Sequence, residues 1–122
     1  MSATAAYAVR LTAGAEQDLD AIVEFVAKHD SPRKAEQLLE WLTAAADSLA
    51  TAPQRGAWPR ELVDLGIRTY RQTFFKPYRL IYETVETPRR AVFIVLIADG
   101  RRDMSTLLEQ RLLNPPELPT AP

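Results

Sequence analysis

Cysteine is absent from the 122 residues, and histidine occurs once, at His29. The first absence removes disulfides, thiolate metal sites and a cysteine nucleophile. The second leaves little from which to build a zinc centre or a Ser-His-Asp triad. Metal ligands and cofactors are therefore expected to be none. Glycine is scarce as well, at 4 residues, and no glycine-rich phosphate loop is formed. No apolar run approaches the roughly 20 residues of a membrane-spanning helix. Met1 to Ala6 also lacks the basic and apolar regions of a signal peptide. The expected location is the cytoplasm, with no membrane partner.

A strong excess of either charge is missing too, since 15 Lys and Arg face 16 Asp and Glu for a net charge of −1. That balance is unlike a dedicated nucleic-acid binder, so direct sequence-specific nucleic-acid binding is not expected. The balance hides an asymmetry. Residues 1–52 hold 4 basic and 8 acidic side chains, whereas residues 53–113 hold 11 and 7. The second half offers positive charge to an acidic partner. With 47% hydrophobic residues, positions 1–113 are expected to form a single domain around one core. Positions 114–122 read as a proline-rich tail, expected to be disordered.

What is present is organised around Ala91-Val92-Phe93-Ile94-Val95-Leu96-Ile97-Ala98. The run is apolar at alternate and intervening positions and rich in β-branched residues, so it reads as a strand buried on both faces. Asp99-Gly100-Arg101-Arg102-Asp103 leaves that strand through a turn carrying two arginines. Upstream, Tyr7, Val9 and Leu11 share one face of a short edge strand. Thr12 then suits a helix N-cap, and Ala15, Leu19, Ile22, Val23 and Val26 form an apolar helical stripe. Lys28 and His29 close that helix, which places His29 in water rather than in a catalytic role.

Ser31-Pro32 starts a second helix, with Ala35, Leu38, Leu39, Leu42, Ala46 and Leu49 inward and Trp41 off the centre of the stripe. The short link between the helices demands an antiparallel hairpin. Residues 52–66 read as a loop with a turn near Arg60-Glu61-Leu62, pinned to the core by Trp58. Two strands, Ile67 to Phe75 and Tyr78 to Val85, follow as a hairpin. After the Asp-Gly turn, Asp103 caps a last helix with Met104, Leu107, Leu108 and Leu112 inward, stopped by Asn114-Pro115-Pro116. The order β-α-α-β-β-β-α is of the α+β class, a helical hairpin on a small, mostly antiparallel sheet with a C-terminal helix.

This order resembles the toxins of the RelE/ParE superfamily, and the ParE branch most closely. The likeness is carried by Leu11-Thr12-Ala13-Gly14-Ala15-Glu16-Gln17-Asp18-Leu19, by Tyr78-Arg79-Leu80-Ile81-Tyr82, and by Val95 through Asp103 leading into Leu107-Leu108. It runs from about Tyr7 to Leu113. The resemblance implies a cytoplasmic toxin encoded with a ParD-like antitoxin, bound to it as a hetero-oligomer. ParE members poison DNA gyrase, and RelE members cut mRNA on the ribosome. Where many relatives carry a histidine at the end of the last strand, this chain has Asp99. A carboxylate there repels phosphate and replaces imidazole poorly near neutral pH. The ParE-like, gyrase-binding expectation is therefore preferred.

On that expectation, Arg101 and Arg102, with Arg79 and Arg71, make the target-binding surface, flanked by Arg68. Trp41, Arg68, Arg71 and Tyr78 make the antitoxin-binding one, since exposed aromatics and arginines are favoured at interfaces. The first alternative is a RelE-like endoribonuclease with Arg79 and Arg101 steadying the transition state and Tyr82 as acid. The second is a non-toxic, degenerate member that acts as an antitoxin-binding partner.

Overall fold

The computed structural model describes residues 6–113; the proline-rich stretch 114–122, expected to be disordered, lies outside the described residues. The long apolar run forms β4 (Ala91–Asp99), and it is interior to a four-stranded sheet. β1 (Ala8–Leu11) runs parallel to it on one side, and β3 (Tyr78–Val85) runs antiparallel on the other. β2 (Tyr70–Phe75) completes the order β1-β4-β3-β2. Two of the three strand pairings are thus antiparallel, and the short β1 lies at an edge.

Both faces of β4 are covered, which is why its sequence does not alternate. On one face lie α1 (Ala13–His29) and α2 (Pro32–Asp47), closing a core of Leu42, Leu80, Tyr82, Val92 and Ile94. On the other lie α3 (Arg60–Val63) and α4 (Met104–Leu108), covering Ile81, Leu96 and Ala98 with Leu62, Met104 and Leu108. The helix starts follow their local chemistry. The Thr12 hydroxyl accepts from Ala15 N at 3.2 Å, and the Ser31 hydroxyl accepts from Lys34 N at 3.1 Å. Each cap satisfies an orphan amide, an effect of about 1 kcal/mol.

One irregularity shapes everything downstream of it. Ile81 pairs with Leu96, but Tyr82 pairs with Ile94, so Val95 has no counterpart on β3. This bulge resets the alternation. Val92, Ile94 and Ile97 face the helical hairpin, whereas Val95, Leu96 and Ala98 face α3 and α4.

Four local expectations are corrected. β2 begins at Tyr70 rather than Ile67, because Ile67 N donates to Leu62 O at 2.9 Å and is drawn back beneath α3. The segment expected to be loop contains α3 itself. Leu39 is exposed, one step of about 100° off the line of Leu38 and Leu42. Trp58 is also exposed, and it packs beneath the Arg71 guanidinium at 3.8 Å rather than pinning the loop to the core.

Candidate functional site

The chain leaves β4 through a turn held by one carboxylate. Asp99 accepts from Arg101 N and Nε, both at 2.9 Å, and from Arg101 Nη2 at 2.6 Å. Hydrogen bonding from Arg101 holds the Asp99 carboxyl down to a pKa of about 2. The clasp fixes the Arg101 backbone while its side chain stays 80% exposed. Four residues into the turn, Asp103 accepts from Thr106 N at 3.1 Å and Thr106 Oγ1 at 2.7 Å, starting α4. Between them stands Arg102, exposed, its backbone N donating to Asp99 O at 3.0 Å and its side chain in no hydrogen bond or ion pair among the described residues.

Arg102 overhangs a groove of 410 Å³ walled by Ile22 and Phe25 of α1, Tyr78 of β3, and Ile97 and Asp99 of β4. Phe25 is 61% exposed and stacks on His29 with ring centroids 4.1 Å apart. Burial raises the pKa of the Tyr78 hydroxyl, with the nearby Asp99 charge adding to the shift. Tyr78 also pairs across the hairpin with Phe75, which meets the half-exposed Trp41 at 5.5 Å. Trp41, Phe75, Tyr78 and the groove therefore follow one another along the open end of the sheet. An apolar side chain fits such a groove, and a neighbouring carboxylate fits Arg102.

The expected arginines divide sharply. Arg79 is not on a free surface. Its Nη1 and Nη2 donate to Glu61 at 2.9 Å each, and its Nε donates to Gln72 Oε1 at 2.8 Å. The hydrogen bond from Arg79 is also the largest cause of the lowered Glu61 pKa. The stem of Arg79 is the seat of the turn, since a Cβ on Gly100 would stand 2.8 Å from Arg79 Cδ. Only glycine allows that approach. Arg71 is half-buried, with Nη1 donating to Gly56 O at 2.9 Å while its plane covers Trp58. Arg68 is exposed and unpaired among the described residues. Tyr82 is fully buried, donates to Pro53 O, and has its pKa raised by that burial.

A further pair was not anticipated. Arg111, beyond α4, donates to Asp18 of α1 at 2.9 and 2.8 Å and to Val95 O at 2.7 Å. Asp18 also accepts from Ile97 N at 2.9 Å. Two backbone groups left by the bulge, past the end of β1, are thereby satisfied. The available signal was position: Asp18 and Arg111 each fall three residues along an apolar stripe, after Ala15 and Leu108. Among the described residues, no group of three or more His, Cys, Asp or Glu is placed to hold a metal.

The fold has counterparts among known proteins. A family model described as ParE toxin of type II toxin-antitoxin system, parDE, matches residues 9–104. A chain of the chromosomal ParDE toxin-antitoxin system from P. aeruginosa superposes with a TM-score of 0.64 at 17% identity, over 79% of this chain and 98% of that one. A chain of the RelBE2 toxin-antitoxin complex from Mycobacterium tuberculosis superposes with a TM-score of 0.55 at 22% identity, over 77% and 98%. Both likenesses are of fold. No curated protein matches the chain in sequence.

Proposed function

The chain belongs to the ParE toxin family of type II toxin-antitoxin systems, and on that premise we propose that it arrests growth by binding DNA gyrase in the cytoplasm. A ParD-like antitoxin neutralises it by direct contact in a hetero-oligomer. One contrast carries the choice of binding over bond breaking. Arg101 and Arg102 stand exposed on a fixed turn, while Arg79 and Tyr82 are consumed inside the fold by Glu61, Gln72 and the Pro53 carbonyl. A nuclease needs a free cation and a proton donor around one phosphate. These two candidates have neither a free charge nor an accessible hydroxyl.

Arg101 and Arg102 then form the target contact, with Arg68 beside the hairpin as an outlying cation. The antitoxin covers Trp41 and Tyr78, lays an apolar side chain in the groove and sets a carboxylate against Arg102. Arg71 contributes through the Trp58 face it shields rather than through free charge.

Expression without antitoxin tests this directly. Growth arrest with DNA breaks, together with loss of supercoiling by purified gyrase, is the expected result. Ribosome-dependent mRNA cleavage that disappears in Arg101→Ala would replace it with the endoribonuclease reading. Unimpaired growth would mark a non-toxic antitoxin-binding partner.

A further inference from the structure

We propose that β1 is a second docking edge, distinct from the Arg101–Arg102 turn, which receives an extended peptide segment alternating carboxylate and aliphatic side chains. Ala8 N donates to Arg90 O and Thr12 N to Ile94 O. In a strand, successive residues direct their backbone groups to opposite sides. Val9 and Leu11 therefore turn their N–H and C=O groups away from β4. Among the described residues no further strand lies beyond β1, and Val9 and Leu11 have no partner there for those groups. One step earlier, the outward Tyr7 N donates to Ala50 O of the same chain at 2.9 Å, so the open stretch of this edge starts at Val9.

The surroundings define the occupant. Beside the edge, on the sheet face turned from α1 and α2, is a concavity of 640 Å³ lined by Ala8, Arg10, Val85, Arg89 and Phe93. Arg10 lies opposite Phe93 in the β1–β4 register. Arg10 and Arg89 are exposed and unpaired among the described residues, whereas Arg90 is held by Glu86 at 3.6 Å. An added strand puts alternate side chains over this concavity, where carboxylates meet two free guanidinium groups.

Two other occupants fit worse. A second copy pairing through β1 brings Arg10 against its own counterpart, and like charges so placed repel. A phosphate chain offers acceptors only, leaving the Val9 and Leu11 carbonyls without donors. The site stands at the start of β4, about 25 Å from its arginine turn at 3.3 Å per residue. The two surfaces are therefore separable by experiment.

Fluorescence anisotropy of the full chain with a labelled hexapeptide alternating Glu and Val is the test. Val9→Pro removes an outward N–H and leaves the β1–β4 ladder its donors, as edge strands tolerate. Saturable binding that weakens about tenfold or more in Val9→Pro, at an unchanged urea midpoint, supports the proposal. Should Val9→Pro unfold the chain, the same loss in Arg10→Glu/Arg89→Glu, both at exposed positions, supports it instead. Undiminished binding in the folded variants overturns it. So does tighter, salt-sensitive binding of a single-stranded oligonucleotide, or a dimer in sedimentation that Val9→Pro abolishes.

Discussion

Two sets of arginines stand beside the second half of β4 in space and behave oppositely. Arg79 and Arg111 are bound into the fold, the first by Glu61 and Gln72 and the second by Asp18 and the Val95 carbonyl. Arg101 and Arg102 project from the turn, the first hydrogen-bonded to Asp99 and the second in no side-chain hydrogen bond or ion pair among the described residues. The difference teaches that a basic half of a chain is not a basic surface. Part of its charge is spent on closing the fold, and the spent arginines position the free ones. Arg79 does this through Gly100, where a Cβ would stand 2.8 Å from Arg79 Cδ.

The sharpest way to break the contrast is to remove a bound arginine. Arg111→Ala strands the Asp18 carboxylate and the Val95 carbonyl together, and Arg79→Ala strands Glu61 and Gln72. Each is expected to cost about 2 kcal/mol, between an exposed pair and a fully buried one, because these side chains keep 12–28% of their surface exposed. Urea unfolding with an unchanged slope measures it. A loss below about 0.5 kcal/mol would mean that these arginines are no more structural than surface ones.

Trp41→Ala is expected to weaken antitoxin binding by about 2 kcal/mol, as for a central interface aromatic, and calorimetric titration reads this out. Unchanged affinity would take Trp41 off the antitoxin surface. Tyr82→Phe leaves the Pro53 carbonyl only the long bond from Gly56 N, at 3.5 Å, and is expected to destabilise by about 1 kcal/mol. Its toxicity should persist under conditions that keep the protein folded. Abolished toxicity in a folded Tyr82→Phe protein would restore the hydroxyl to a chemical role.

Arg102→Ala is the converse case. Its urea midpoint should match the parent while growth arrest on expression is lost. The smallest effect concerns Asp99. Its pKa, held to about 2 by Arg101, lies below that of an unfolded carboxyl. The clasp is therefore complete above about pH 4 and lost only as pH falls through about 2. Carboxyl NMR titration should show this, and Arg101→Ala should return the Asp99 pKa toward its ordinary value. An unmoved pKa would assign the shift to something other than the clasp.

Much of the architecture was legible because it is encoded over short spans. Helix caps at Thr12, Ser31 and Asp103 are read from two or three neighbours, and all three are formed. The apolar stripes and the doubly buried β4 follow from periodicities of a few residues, and the α+β order follows from them. The start of β2 differs from the sequence reading because a neighbouring element, α3, draws Ile67 to itself, and Leu39 differs because it stands one helical step off the Leu38–Leu42 line.

The candidate site was legible only in part. The Asp-Gly-Arg-Arg turn is local and stands where its residues imply. The ion pairs that withdraw Arg79 and Arg111 link residues 18 and 93 positions apart, and no pattern in the chain between them specifies the meeting.

From the sequence alone came the four strands and the helices other than α3, their order, the family likeness and the positions able to carry charge. The tertiary structure alone decided which charges remain available, where the bulge reorients β4, and which strand edge stays open. The physical reason is that a side chain's hydrogen-bond valence is claimed by whatever lies within about 3 Å of it, and for these residues that neighbour arrives only when the sheet has assembled.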